Sequence, residues 1–231
     1  GSSFKPISSI ASLEERVIDT STLIDCTGKY EEVTPNIRCW IWPSHHGNET
    51  LVDGIKNSCN YFFADLGHRL ATDSQGDYNA ELGMERIRKY AGDFGLNEKS
   101  GIELDEAEPR ISDYDPERSA MGQGNHAFNT AQLAKYITAV ANGGNLYKLS
   151  IVDKIADPKG KTVEEMDSSL LKHLDYMDST WNAVHEGLRK VITEGVAKNV
   201  FLGQSITVAG KTGTAQERED RGNHEVFVYY A

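Results

Sequence analysis

The sequence has no Cys-x-x-Cys pair, and its three cysteines are an odd number. That argues against a full disulfide framework and against the paired-cysteine metal motifs. It has no apolar run near the roughly 20 residues that a membrane-spanning helix needs. It also lacks a basic surplus: 24 Lys and Arg face 35 Asp and Glu, a net charge of −11, which speaks against a general nucleic-acid binder. Internal repeats and low-complexity tracts are absent. What is present is an ordinary globular mixture, 39% hydrophobic and 26% charged, in 231 residues. That length suits one large domain or two small ones.

Hydrophobic periodicity then places the elements. Ser2 to about Arg16 reads as a helix with Phe4, Ile7, Ile10 and Ala11 on one face, and Pro6 is acceptable in its first turn. Thr20 to Gly47 has no sustained period and reads mainly as loop. Asn48 is the expected N-cap of a helix carrying Leu51, Val52 and Ile55, and "YFFADLGHRL" continues as a second helix after "NSCN". Asn79 to about Phe94 is a further helix, and 95–128, rich in Gly, Pro, Asp and Ser, reads as surface loop. "NTAQLAKYITAVANGG" predicts a helix with Leu133, Ile137, Val140 and Ala141 buried and Gly143 as its stop. Two short strands are expected around Asp-Pro-Lys-Gly, and a helix through Trp181, Val184, Leu188 and Val191. "QSITVAGKTGTAQ" and "NHEVFVYYA" read as a hairpin joined by the charged turn "EREDRGN". The class is α+β, helix-rich, with an antiparallel sheet.

Three short motifs carry chemistry: Ser2-Ser3-Phe4-Lys5 at a helix start, Ser58-Cys59-Asn60 in a break between helices, and Lys211-Thr212-Gly213 on a strand. Each alone is weak, and each has a plain structural reading as a cap, a turn or a strand end. In this order and on these elements they match the set known for penicillin-binding proteins and class A β-lactamases. Residues at i and i+3 share a helix face, so a neutral Lys5 amine can take the proton of the Ser2 hydroxyl. That requires a depressed amine pKa, from burial and from a second cation, for which Lys211 is the candidate. Ser58 can relay a proton to a leaving amine, and Asn60 can hold Lys5 and a substrate amide. Thr212 and Thr214 can meet a substrate carboxylate, and the strand backbone can pair with an extended peptide where Gly213 leaves room.

Longer stretches resemble class B penicillin-binding proteins over nearly the whole chain: "RCWIWPSHHGNETLVDGIKNSCNYFF", "FGLNEKSGIEL", "AMGQGNHAFNTAQLAKYITAVANGGNLYK", "GLRKVITEG" and "VAGKTGTAQ". Asn129 stands where that family usually has proline. The resemblance implies the penicillin-binding-protein/β-lactamase-like transpeptidase fold, with 1–231 a partial transpeptidase domain cut at both ends. It implies D,D-transpeptidation of peptidoglycan stem peptides through a serine acyl-enzyme that β-lactams also form. Carried over by position, Ser2 is the nucleophile and Lys5 its base. Ser58, Asn60, Lys211, Thr212, Gly213 and Thr214 are the supporting residues, and the Ser2 and Thr214 N–H groups form the oxyanion hole. The resemblance further implies no cofactor, no nucleic acid, and a glycosyltransferase partner for the full-length protein. Location follows in the same way: outside the cytoplasmic membrane, anchored by an N-terminal helix.

Two readings of the same fold compete. A β-lactamase needs a deacylating carboxylate, commonly from Glu-x-x-Leu-Asn, and the nearest string here runs from Asp93 through Leu96 to Asn97, with the wrong acid. A non-catalytic β-lactam sensor would keep the site without transferring the acyl group. Outside the motifs, Cys26, Cys39, His45, His46 and Cys59 are thiols and imidazoles of the kind that bind zinc. Their spacing is irregular, and buried cysteines often act as small apolar groups, so no metal is assigned. Trp40, Trp42 and Trp181 read as core or rim packing, and "ELDEAEPRISDYDPE" as a solvated loop.

Overall fold

The computed structural model describes residues 1–215 and 222–231, so the predicted charged turn over 217–223 lies mostly outside the described residues. A 3₁₀ turn, Ser2–Phe4, runs directly into α1, Lys5–Glu14. Every residue of α1 from Lys5 to Leu13 is buried, including Ser8, Ser9 and Ser12. A helix buried all round needs internal partners for its polar groups. Ser9 Oγ donates to the Lys5 carbonyl at 2.9 Å, and Ser8 Oγ to the Ala120 carbonyl at 2.7 Å.

Around α1 pack α2 (Leu51–Lys56), α3 (Asn60–Leu70), α4 (Ala80–Asp93) and α7 (Asp178–Thr193). Trp181, Val184, Leu188 and Val191 of α7 are all buried, as their period predicts. Asn48 does not cap α2. It lies in a short strand, β4 (Gly47–Glu49), paired antiparallel with β1 (Ile24–Cys26). The cap is Thr50, in a reciprocal box with Asp53, which satisfies two otherwise orphaned backbone donors. The region read as loop thus holds β1, β4 and a second small ladder, β2 (Lys29–Tyr30) with β3 (Ile37–Arg38). A five-residue helix, α5 (Pro116–Ala120), interrupts the long loop of 95–128.

In α6 (Thr130–Ala141) the buried face includes Gln132, Lys135 and Tyr136 beside Ile137 and Val140, while Leu133 and Ala141 are only half-buried. The stripe is turned because Tyr136 enters the core beneath the Ser2 turn. Asn129, where the resemblance would have proline, is the α6 N-cap: its side chain accepts from Gln132 N at 2.8 Å, and its own N–H donates to Gln132 Oε1 at 2.9 Å. Proline has no N–H for that second bond.

β6 (Lys154–Ala156) and β7 (Thr162–Glu165) form the expected hairpin at the Asp-Pro-Lys-Gly turn, and β5 (Asn145–Tyr147) pairs with β8 (Leu170–His173). The terminal hairpin is β9 (Ala209–Ala215) with β10 (His224–Tyr230), in a register that sets Lys211 opposite Val228 and Gly213 opposite Val226. Among the described residues the strands form five separate two-stranded antiparallel ladders. β9 and its partner lie against the 3₁₀ turn and α7, so the third motif reaches the first across the core.

Candidate active site

The second motif is built by the end of α2. Asn57 is the helix C-cap, Ser58 follows with φ +53°, and Cys59 begins the next helix as its N-cap. Ser58 N–H donates to the Ile55 carbonyl at 3.1 Å and Cys59 N–H to the Gly54 carbonyl at 3.0 Å. These two bonds are the Schellman pattern, whose left-handed position usually holds glycine. A serine there costs about 1–2 kcal/mol of backbone energy. The tight reversal aims the Ser58 hydroxyl back at α1 and places Asn60 at the first position of α3.

Lys5 Nζ donates to the Ser58 carbonyl (2.9 Å), Ser58 Oγ (3.3 Å) and Asn60 Oδ1 (2.8 Å), and it lies over the Phe63 ring at 5.2 Å. Lys211 Nζ donates to the same Ser58 Oγ at 2.8 Å and to the Thr212 carbonyl at 3.1 Å. One hydroxyl therefore links two amines. A serine hydroxyl has one donor and two acceptor sites, so it can join them whichever amine carries the proton. Both lysines are completely buried. Burial pushes the Lys5 amine down to about 8, against the opposing pull of Cys59, Cys39 and Glu49. Lys211 is driven well below its ordinary value by burial and by the charge of Lys5.

Ser2 is half-buried, one helical turn before Lys5. Backbone contacts define its surroundings. A Cβ on Gly213 would meet Ser3 N at 2.9 Å and Ser3 Oγ at 3.1 Å, and one on Gly1 would meet the Thr214 carbonyl oxygen at 2.7 Å. Strand β9 thus lies directly on the Ser2 turn, and glycine at 213 is what permits it. Along β9, Lys211 and Gly213 are buried, whereas Thr212 is half-buried and Thr214 exposed, in the alternation of a strand with one open side. The first, second and third motifs meet at one place.

Several supports were not legible beforehand. Tyr136, fully buried, donates its hydroxyl to the Ser3 carbonyl at 2.5 Å and pins the Ser2 turn to α6. Phe4 stacks on His126 with ring centroids 4.3 Å apart. His126 Nδ1 accepts from Ser112 N at 2.9 Å and its Nε2 lies 3.1 Å from the Ser119 carbonyl, which fixes a neutral ring protonated at Nε2. Burial lowers its pKa to about 4, consistent with that form. Gly122 has φ +85°, and a Cβ there would lie 2.0 Å from the Gly1 carbonyl oxygen, so the Gly-Gln-Gly phrase serves close backbone approach. The one signal for Tyr136 was its place in a strongly amphipathic helix, beside the expected stripe.

In the acidic loop, Glu103, Glu106 and Glu108 each have partners away from Ser2. Glu103 accepts from Ser150 Oγ at 2.5 Å and from Ile151 N at 3.0 Å. Glu106 accepts from Gly101 N at 2.9 Å and Asn129 Nδ2 at 2.6 Å, and Glu108 pairs with Lys99 at 2.8 Å.

The model of the penicillin-binding protein transpeptidase domain matches residues 1–231. Stage V sporulation protein D of Bacillus subtilis is 32% identical over 244 residues, covering 100% of this chain and 35% of that protein. The peptidoglycan D,D-transpeptidase MrdA of Haemophilus influenzae is 26% identical, covering 93% of this chain and 34% of its own length. The chain thus spans about a third of these curated relatives. Among solved structures, a chain of a peptidoglycan synthase complex that coordinates polymerization and crosslinking superposes with a TM-score of 0.80 at 26% identity, over 95% of this chain and 37% of that one.

Proposed function

The chain belongs to the penicillin-binding protein transpeptidase domain family, and on that premise we propose that it carries the acyl-transfer site of a peptidoglycan D,D-transpeptidase, with Ser2 as nucleophile. The observation that supports this most is Ser58 Oγ held between the two buried amines, at 3.3 Å from Lys5 Nζ and 2.8 Å from Lys211 Nζ.

Lys5 in its neutral form takes the Ser2 proton as Ser2 Oγ attacks the carbonyl of the penultimate D-alanine. The oxyanion is met by the N–H groups of Ser2 and Thr214, aided by the field at the helix start. Collapse breaks the peptide bond. Lys5 passes the Ser2 proton through Ser58 to the leaving D-alanine amine, with Lys211 holding Ser58 Oγ in place, and the acyl group stays as an ester on Ser2. A neighbouring stem's amine then attacks that ester and loses its proton to the Lys5–Ser58 pair, and Ser2 regains its hydroxyl. Asn60 fixes Lys5 and a substrate amide. Thr212 and Thr214 hold the terminal carboxylate, and the open side of β9 takes the extended peptide.

β-Lactams acylate the same serine. General-base assistance is worth typically 10²–10⁴-fold, and the carboxylates Glu103, Glu106 and Glu108 are engaged elsewhere, so water attack on the adduct is slow. This favours a target of β-lactams over a β-lactamase. The amine-capture step distinguishes it from a sensor. The full protein works on the extracytoplasmic face of the membrane, with peptidoglycan stem peptides as substrates and a glycosyltransferase as its partner. No described helix is long and apolar enough to cross a membrane.

The test is intact-mass analysis of the full-length protein with a thioester donor and a D-amino-acid acceptor, and separately with penicillin. The expected result is transfer to the amine and a penicillin adduct that lasts many minutes. Rapid loss of the adduct with accumulating hydrolysed penicillin would indicate a β-lactamase. A lasting adduct with no transfer to the amine would indicate a sensor.

A further inference from the structure

Three free cysteines and a histidine, scattered in sequence, converge next to the second motif. Cys26 ends β1, Cys39 follows β3, His46 precedes β4, and Cys59 caps α3. The β1–β4 register pairs Cys26 with Gly47, which brings His46 alongside it. The three thiols are buried and the imidazole nearly so, and the four ligand atoms all lie within 4.8 Å of one another.

Three of the six edges have the length of a coordination polyhedron. Zinc–sulfur bonds of about 2.3 Å and zinc–nitrogen bonds of about 2.0–2.1 Å at tetrahedral angles give S···S edges near 3.8 Å and S···N edges near 3.6 Å. Here Cys39 Sγ and Cys59 Sγ are 3.7 Å apart, and His46 Nδ1 is 3.7 Å from Cys26 Sγ and 3.5 Å from Cys39 Sγ. A disulfide would need sulfurs about 2.05 Å apart.

One buried carboxylate borders the cluster. Glu49, 2% exposed, has one carboxylate oxygen, Oε2, with no hydrogen-bond partner. That oxygen faces His46 Nδ1 at 3.8 Å, while Oε1 is held by Asn57 Nδ2 at 2.8 Å. Zn²⁺ with three thiolates carries a net charge of −1, so Glu49 borders the cluster without serving as the ion's counter-charge.

We propose that Cys26, Cys39, Cys59 and His46 bind one Zn²⁺ ion in a closed, structural Cys₃His site. Binding displaces the thiol protons to solvent and involves no redox change. With all four positions taken by protein, the ion has no open site for chemistry. Its role is mechanical. Cys59 lies between Ser58 and Asn60, and the ion ties that residue to the β1–β4 ladder and to the segment after β3. It thereby holds the left-handed Ser58 turn against Lys5 and Lys211. This last step rests on the proposed acyl-transfer reading, whereas the site itself does not.

The test uses the full-length protein purified without chelators. Elemental analysis should find about one zinc per chain. Replacement by Co²⁺ should give the intense visible bands of a tetrahedral ion together with thiolate charge-transfer absorption. His46→Ala and Cys26→Ser should each lower zinc affinity by at least about tenfold in chelator competition. Zinc should protect the three thiols of the wild-type protein from alkylation, a readout that needs no variant to fold. Removing zinc should slow penicillin acylation; a stoichiometric zinc without that effect would keep the site and remove its link to the second motif. Wild-type protein that retains less than a tenth of an equivalent after incubation with Zn²⁺ and dialysis would overturn the proposal, as would octahedral cobalt spectra or a Cys39–Cys59 disulfide.

Discussion

Ser58 occupies a backbone position that suits glycine, and its hydroxyl occupies a place that glycine cannot fill, so two substitutions separate these roles. With φ at +53°, a Cβ at this residue costs about 1–2 kcal/mol. Glycine avoids that term but carries more unfolded-chain entropy, worth about 0.4–1 kcal/mol in the other direction. Both Ser58→Gly and Ser58→Ala lose the same hydroxyl and leave Lys5 and Lys211 short of one partner, about 1.5–3 kcal/mol for a bond to a charged group. That loss cancels in the comparison. The glycine variant should therefore be the more stable by about 1 kcal/mol, which for a domain of this size raises the melting midpoint by about 2–4 °C. At an ordinary helical position the order is reversed, with alanine ahead by about 1 kcal/mol. Calorimetry of the two variants reads the difference directly. Acylation by fluorescent penicillin should fall in both by about 10²–10⁴-fold, the value of a positioned proton relay, irrespective of stability. An alanine variant that melts at or above the glycine variant would refute the left-handed geometry. A glycine variant that acylates normally would refute the relay.

Three further outcomes follow from the same geometry. Because Lys5 acts in its neutral form and its pKa lies at about 8, the acylation rate should rise with pH, roughly tenfold between about pH 7 and pH 9, and then level off; stopped-flow labelling across that range checks it. Gly213→Ala places a Cβ 2.9 Å from Ser3 N, so β9 must move off the Ser2 turn, at a cost of about 1–3 kcal/mol in urea unfolding and with slower acylation. Tyr136→Phe frees the Ser3 carbonyl that the phenol holds at 2.5 Å; it should lose about 1–3 kcal/mol of stability and reduce acylation more than it reduces non-covalent ligand binding.

The parts of this molecule that the sequence disclosed are those where residue identity and chemistry coincide. Lys5, Ser58, Asn60 and Lys211, which the fold joins by hydrogen bonds, belong to short motifs on periodic elements, and the α7 stripe is set by a simple 3.6-residue repeat. The β1–β4 and β2–β3 ladders escaped because strands of two or three residues have no period to read. Asn48 looked like a cap because Asn is a favoured N-cap residue, whereas the helix uses the Thr50-x-x-Asp53 capping box two residues on. The α6 face was misjudged because Lys135 and Tyr136 are polar by type yet buried, one near Glu98 at 3.8 Å and the other bonded to the Ser3 carbonyl. The thiol–imidazole cluster was visible as a set of residues but not as a site. Its members come from four separate segments, and only the β1–β4 pairing and the α2–α3 reversal bring their ligand atoms within 4.8 Å.

The central claim is that Ser2 is the residue acylated. The most direct measurement is peptide mapping by mass spectrometry of the full-length protein after reaction with penicillin, for wild type and for Ser2→Ala. The account predicts one adduct, on the peptide and side chain of Ser2, and none on the folded alanine variant. An adduct on Ser3 or Ser58, or one that persists when Ser2 is alanine, would contradict it.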